Sequence, residues 1–131
     1  MQILQPPGWR RPSGYSNGIA AEGRLLFIAG LVGWDKNREF QSDDFIDQTA
    51  QTLKNIVTVL AEADATPEHI TRMTWYIIDK QEYIARQREM GEVYRKVIGR
   101  NFPATAMLEV SALMEDRAKV EIETTAVLPH S

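Results

Sequence analysis

Ile46, Ala50, Leu53, Val57 and Leu60 recur at intervals of four and three, with Phe45, Thr49 and Ile56 widening the stripe. That spacing predicts an amphipathic helix over residues 44–63, entered through the cap-competent Ser42, Asp43 and Asp44. A second helix is expected over 80–98: Tyr83, Gln87, Met90, Tyr94 and Val97 share one side, and Arg86, Arg88, Glu89, Glu92, Arg95 and Lys96 the other. Gly99 and Pro103 mark its end. Elsewhere the period drops to two. Val120, Ile122, Thr124, Ala126 and Leu128 alternate with Lys119, Glu121, Glu123, Thr125 and Val127, which predicts a strand over 119–128. Residues 70–78 set Met73, Trp75 and Ile77 against Thr74, Tyr76 and Ile78, and residues 104–110 form a further strand.

Near the start, residues 15–21 and 24–30 read as two short strands joined through Glu22 and Gly23 in a hairpin turn. The second is apolar almost throughout, as in a central strand covered on both faces. Residues 31–41 read as a loop, and Thr66 with Pro67 starts one short helical turn. Residues 1–13, with Pro6, Pro7, Gly8 and Pro12, form an extended arm whose one large anchor is Trp9. The resulting order is ββαβαββ, an α+β chain with a mixed sheet and two helices on one face. The apolar and aromatic residues of the second face would meet water unless another subunit covers them, so an oligomer is expected.

At 131 residues the chain is the length of one domain, taken as 1–131. Its net charge of −3 and its scattered Lys and Arg argue against a nucleic-acid surface. It has no cysteine, hence no disulfide or thiolate chemistry, in keeping with a reducing compartment. No apolar run is long enough for a bilayer or a signal peptide, which makes a cytoplasmic protein without membrane partners the expectation. His69, beside Pro67, and the near-terminal His130 offer neither a metal site nor a catalytic triad, and the glycines lack phosphate-loop spacing. No metal and no cofactor are expected.

The octet Pro103, Ala104, Thr105, Ala106, Met107, Leu108, Glu109, Val110 is the most telling motif. With Gly14, Tyr15, Ser16, with Leu26 to Gly30, and with Val120, Glu121, Ile122, Glu123, it resembles the Rid/YjgF family of reactive-intermediate imine deaminases, in order and spacing over residues 12–128. The resemblance implies a chorismate-mutase-like fold and a homotrimer with a central barrel, its small-molecule clefts lying between subunits. It implies a water-serving role for Glu109, a cleft-entrance role for Tyr15, and a close ligand approach at Gly30. The residue after Pro-Ala is usually an arginine gripping a 2-imino carboxylate, and here it is Thr105, a neutral donor in place of a bidentate cation. A position where many members carry asparagine aligns with Gly91, in a second helix about a turn longer than usual.

Leu31, Trp34, Ala104 and Met107 are further candidates for a binding wall. Together with Ala29 and Ala106 they suggest a hydrophobic cleft with one carboxylate and a larger, less anionic ligand than usual. The nominal substitutes for the missing arginine are Arg24, Arg38, Arg72, Arg88 and Arg100. Two functions remain open. One is a cofactor-independent deaminase in which Glu109 and Thr105 handle the water, with efficient turnover of 2-aminoacrylate or iminopropionate not expected. The other is a non-catalytic trimer that uses the same clefts to bind a metabolite or a partner. A nuclease role has no supporting residues.

Overall fold

A four-stranded mixed sheet, order β3-β6-β4-β5, carries the chain: β3 is Arg24–Val32, β4 Ile70–Ile77, β5 Ala104–Glu109 and β6 Val120–Leu128. β6 pairs antiparallel with β3 and β4, and β4 pairs parallel with β5. Two residues of the arm, β1 (Gln2–Ile3), pair with β2 (Ile19–Ala20) in a separate ribbon. The helices are α1 (Phe45–Ala61), α2 (Lys80–Ala85) and α3 (Gln87–Val97), with a 3-10 turn at Pro67–His69. This computed structural model describes residues 1–130; Ser131, the last residue of the expected domain, lies outside the described residues. None of the helices described is long and apolar enough to cross a membrane.

One sheet face is dry. Leu53, Ile56 and Leu60 of α1 are fully buried, as are Ile70, Met73, Val120 and Ile122 from the strands. Burying each such side chain contributes roughly 1.5 to 3 kcal/mol before conformational entropy is subtracted. Ala50 and Val57, placed in the stripe by the sequence, flank it half-buried; Thr49 lies inside it as expected, and so do Gln48 and Thr52, which the stripe did not include. Gln48 is buried because its amide is satisfied: Nε2 donates to the carbonyls of Ser42 and Arg117, and Oε1 accepts from Lys119 N–H. A Cβ at Gly33 would collide with the Gln48 backbone, so glycine lets the end of β3 pass close to α1.

Three expectations are corrected. The hairpin across Glu22 and Gly23 does not form, since β3 pairs with β6 and the preceding segment pairs with the arm. Gly23 has φ +149° and leaves no room for a Cβ against the Leu128 carbonyl, so it serves close packing of the start of β3 on the end of β6 and not a two-residue turn. Second, β3 is an edge strand and not a central one, and its outer-face residues Leu25 and Phe27 are 57% and 76% exposed. Its apolar sequence reflects a face uncovered within one chain. Third, Trp9 is 63% exposed and anchors nothing.

The expected helix over 80–98 is two helices, because Arg86 leaves helical geometry at φ −118°, ψ 24°. Its guanidinium holds Asp44 at 2.6 Å, Glu89 at 2.9 Å and Glu82 at 3.3 Å. Asp44 is also the N-cap of α1, accepting the N–H groups of Ile46 and Asp47. One residue pair therefore locks the α2–α3 junction onto the start of α1.

The Arg86 hydrogen bond is the main cause holding the Asp44 carboxyl below the usual carboxylate range, and it lowers Glu89 likewise. Their stabilising effect is complete above the unfolded-state values and disappears as pH falls through the depressed folded ones. Urea midpoints should therefore drop between about pH 5 and pH 2. Asp44→Ala should remove about 1 kcal/mol through loss of the cap and flatten that pH dependence, both readable from denaturation curves at several pH values.

Candidate functional site

The parallel pairing of β4 with β5 sets Met73 opposite Thr105, Trp75 opposite Met107 and Ile77 opposite Glu109. Thr105, Met107 and Glu109 therefore point to the helix side of the sheet. The segment before β2 runs beside β5 in turn: Ser16 bridges Ala104, its N–H donates to the Pro103 carbonyl at 3.1 Å and its hydroxyl to the Phe102 carbonyl at 2.5 Å. That clamp places Ser13, Gly14 and Tyr15 at the mouth of a cleft of about 590 Å³ between β5 and α3. Such a volume is in the range of small-molecule sites.

The cleft's walls come from three sources. The strands supply Trp75, Thr105 and Met107; the helices supply Tyr83, Gln87, Met90, Gly91, Tyr94 and Arg95; the connection into β5 supplies Phe102. Tyr94 and Phe102 stack at 5.9 Å with ring planes 13° apart, and Trp75 packs against Tyr94 at 6.4 Å. The Tyr94 hydroxyl donates to the Asn101 carbonyl at 2.6 Å, and burial pushes its pKa above the usual phenol value. Tyr94 is thus a fixed neutral wall. The Trp75 indole N–H is buried without a partner among the described residues.

Of the residues singled out from the sequence, Tyr15, Thr105 and Met107 meet in this cleft, and Ala104 holds its edge by pairing with Ser16. Thr105 does not offer the free donor expected of it, because its hydroxyl donates to the Pro103 carbonyl at 2.8 Å. Glu109 lies four residues along the strand from Thr105, roughly 13 Å away, and Oε1 accepts Lys80 N–H at 2.7 Å at the start of α2.

Gly30 and Leu31 sit on the opposite sheet edge, where Leu31, Ile122, Trp75 and Met107 form one cross-strand row. Three strand spacings put Leu31 roughly 14 Å from Met107. Trp34 belongs to a different surface, with Phe40 at 5.7 Å and the Arg38 guanidinium 5.7 Å over its ring. A single chain therefore does not unite the expected site residues.

Three features were not anticipated. Tyr83, Gln87, Met90 and Tyr94 had been placed along one helix side, but nothing in that periodicity tells a core from a cleft. Glu121, on the outer sheet face, lies so close to Gly30 that a Cβ there would fall 2.5 Å from its Oε2. Its signal was the carboxylate on the face opposite Val120 and Ile122. The cleft also departs from a hydrophobic one with a single carboxylate: no carboxylate lines it, and Arg95 does.

Residues 10–128 match the family model described as endoribonuclease L-PSP. A RutC family protein of Pyrococcus horikoshii is 37% identical over 113 residues, 86% of this chain and 85% of that protein. The 2-iminobutanoate/2-iminopropanoate deaminase of Homo sapiens is 26% identical over 86% of this chain and 79% of its own length. Among solved structures, a Rid family protein of unknown function from Yersinia pestis superposes with TM-score 0.85 at 31% identity, covering 97% of this chain and 98% of that one. Sequence and fold agree from end to end of the matched region, and the chain belongs to the Rid (YjgF/RutC) family of reactive-intermediate deaminases.

Proposed function

We propose that this protein is a cofactor-independent imine or enamine deaminase, acting in the cytoplasm as a homotrimer whose clefts are completed between subunits. The observation that carries the reading is the convergence of Tyr15, Thr105 and Met107 on one cleft in a chain of this family. The trimer is supported by the sheet itself. Gly30 and Leu31 are too far from Met107 to touch the same small ligand in one chain, whereas the free β3 edge of one subunit set against the β5 edge of the next would bring them together. The exposed Leu25 and Phe27 would be covered by the same association.

In the reaction, water attacks the electrophilic imine carbon, one water proton passes to a carboxylate and the nitrogen is protonated. The carbinolamine then collapses to a carbonyl compound and ammonia, so no redox partner or metal is required. Tyr15 packs on the substrate, and main-chain groups near Gly30 orient it. Two strand carboxylates can serve the water. Glu109 has one oxygen committed to α2 and one free, whereas Glu121 lies directly against Gly30. A non-catalytic binding protein is the second reading, favoured by the engagement of both Glu109 and the Thr105 hydroxyl in internal hydrogen bonds.

Kinetics separate these readings. With imines generated in situ by an amino-acid oxidase, the wild type should accelerate ammonia release, and Thr105→Arg should improve turnover of the small iminopropionate. No acceleration by either protein, both intact as oligomers, would leave only the binding reading. Replacement of the water-serving carboxylate should cost about 100-fold or more in kcat. Glu121→Gln and Glu109→Gln measured side by side identify which one it is, and thermal melts report the Glu109 contact to α2. Light scattering at micromolar concentration should give three times the chain mass; a stable monomer would remove the intersubunit site altogether.

A further inference from the structure

Arg95 is the one charged side chain lining the cleft among the described residues. It is also uncommitted. The ion pairs described are made by Arg86, Arg88 and Arg117, and the exposed Arg95 guanidinium donates to no acceptor among the described residues. Gly91 stands one helical turn before it. A glycine inside a helix costs about 1 kcal/mol relative to alanine, and this one frees space that the arginine uses: a Cβ at position 91 would lie 3.1 Å from Nη1 of Arg95. The missing side chain lets the guanidinium lie back along α3 at the cleft wall.

Below it, Thr105 brings no cation and turns its hydroxyl to Pro103. The one cation at the cleft among the described residues thus stands on the helix wall and not on the strand floor. The walls beside it are mostly aromatic or apolar, with Trp75, Tyr83, Met90, Tyr94, Phe102 and Met107 able to enclose a flat or branched group, and Gln87 and Ser13 are the polar exceptions.

We propose that Arg95, given room by Gly91, is the specificity-determining residue of this cleft. It binds the carboxylate of a ligand whose aromatic or bulky apolar side chain fills the space between α3 and β5. Resting on the deaminase reading, this makes the substrate class 2-imino carboxylates with large apolar side chains. The planar fork suits a carboxylate through two parallel charge-assisted bonds, which an ammonium does not reproduce.

The test is calorimetric titration of the purified oligomer with 3-phenylpropionate and with its neutral primary amide. The wild type should bind the acid about tenfold or more tighter than the amide. Arg95→Ala should abolish the preference, Arg95→Lys should restore part of it, and Gly91→Ala should weaken the acid alone. Equal affinity for acid and amide in the wild type, no measurable binding of the acid at millimolar concentration, or an unchanged acid affinity in Arg95→Ala would overturn the proposal. The first two comparisons need no variant, so they stand whether or not a variant folds. Kinetics keep the two readings apart. The imine of phenylalanine should be preferred over that of alanine, and Arg95→Ala should raise KM far more than it lowers kcat. Acid binding that depends on Arg95 without any imine hydrolysis would sink the deaminase reading and sustain the anion site. Hydrolysis indifferent to Arg95→Ala would do the reverse.

Discussion

The parallel pairing of Ile70–Ile77 with Ala104–Glu109 is the constraint from which the cleft follows. Parallel neighbours cannot be joined by a tight turn, so the chain between them must cross one face of the sheet. That crossing is α2 and α3. It lays Tyr83, Met90, Tyr94 and Arg95 over Thr105 and Met107, and it leaves a space where α3 and β5 part. The crossing would be loosely held if the helix were a single rod resting on the sheet. Arg86 instead bends it and ties the bend to Asp44, the residue that also caps α1. The roof of the cleft and the helix that buries the core therefore share one ionic anchor.

Much of this was legible in the sequence. The stripe through Leu53 and Leu60 gave α1 within two residues at each end, and the alternation through Val120 and Ile122 gave β6 within one. Those elements obey a single physical demand, burial of one face, and periodicity records that demand directly. The hairpin at Gly23 was misread because the same glycine answers a tertiary demand: its φ of +149° and its contact with the Leu128 carbonyl involve a residue over a hundred positions away. β3 was misplaced for a similar reason, since an apolar outer face looks the same in sequence whether strands of the same chain or of another cover it. The break at Arg86 was hidden as well, because arginine is a good helix former and its three carboxylate partners lie in α2, in α3 and at the N-cap of α1.

The site was legible only in part. Tyr15, Thr105 and Met107 come together because Ser16 and Ala104 pair, a contact between distant segments that a motif in each can suggest but local pattern cannot supply. Arg95 was assigned to the solvated face along with Arg88 and Lys96. What distinguishes it is the neighbouring glycine, and a glycine in a helix carries no meaning until the atom that would collide with its Cβ is known.

Two opposite edges of one sheet frame the functional argument. Gly30, beside Glu121, belongs to the β3 edge; Thr105, Met107 and Glu109 belong to the β5 edge, with β6 and β4 between them. A carboxylate and the imine carbon beside it are separated by one bond, so a small 2-imino acid cannot bridge residues roughly 14 Å apart. Chemistry that needs both edges needs two chains. If Arg95 holds the carboxylate as proposed, a ligand whose apolar part lies between Tyr94 and Met107 fills the cleft better than a small one does. On the proposed reading an arginine on α3 supplies the cation that β5 lacks, and because the imine carbon stays one bond from the carboxylate, the cleft selects on the substrate's side chain and not on the reach of its reacting end.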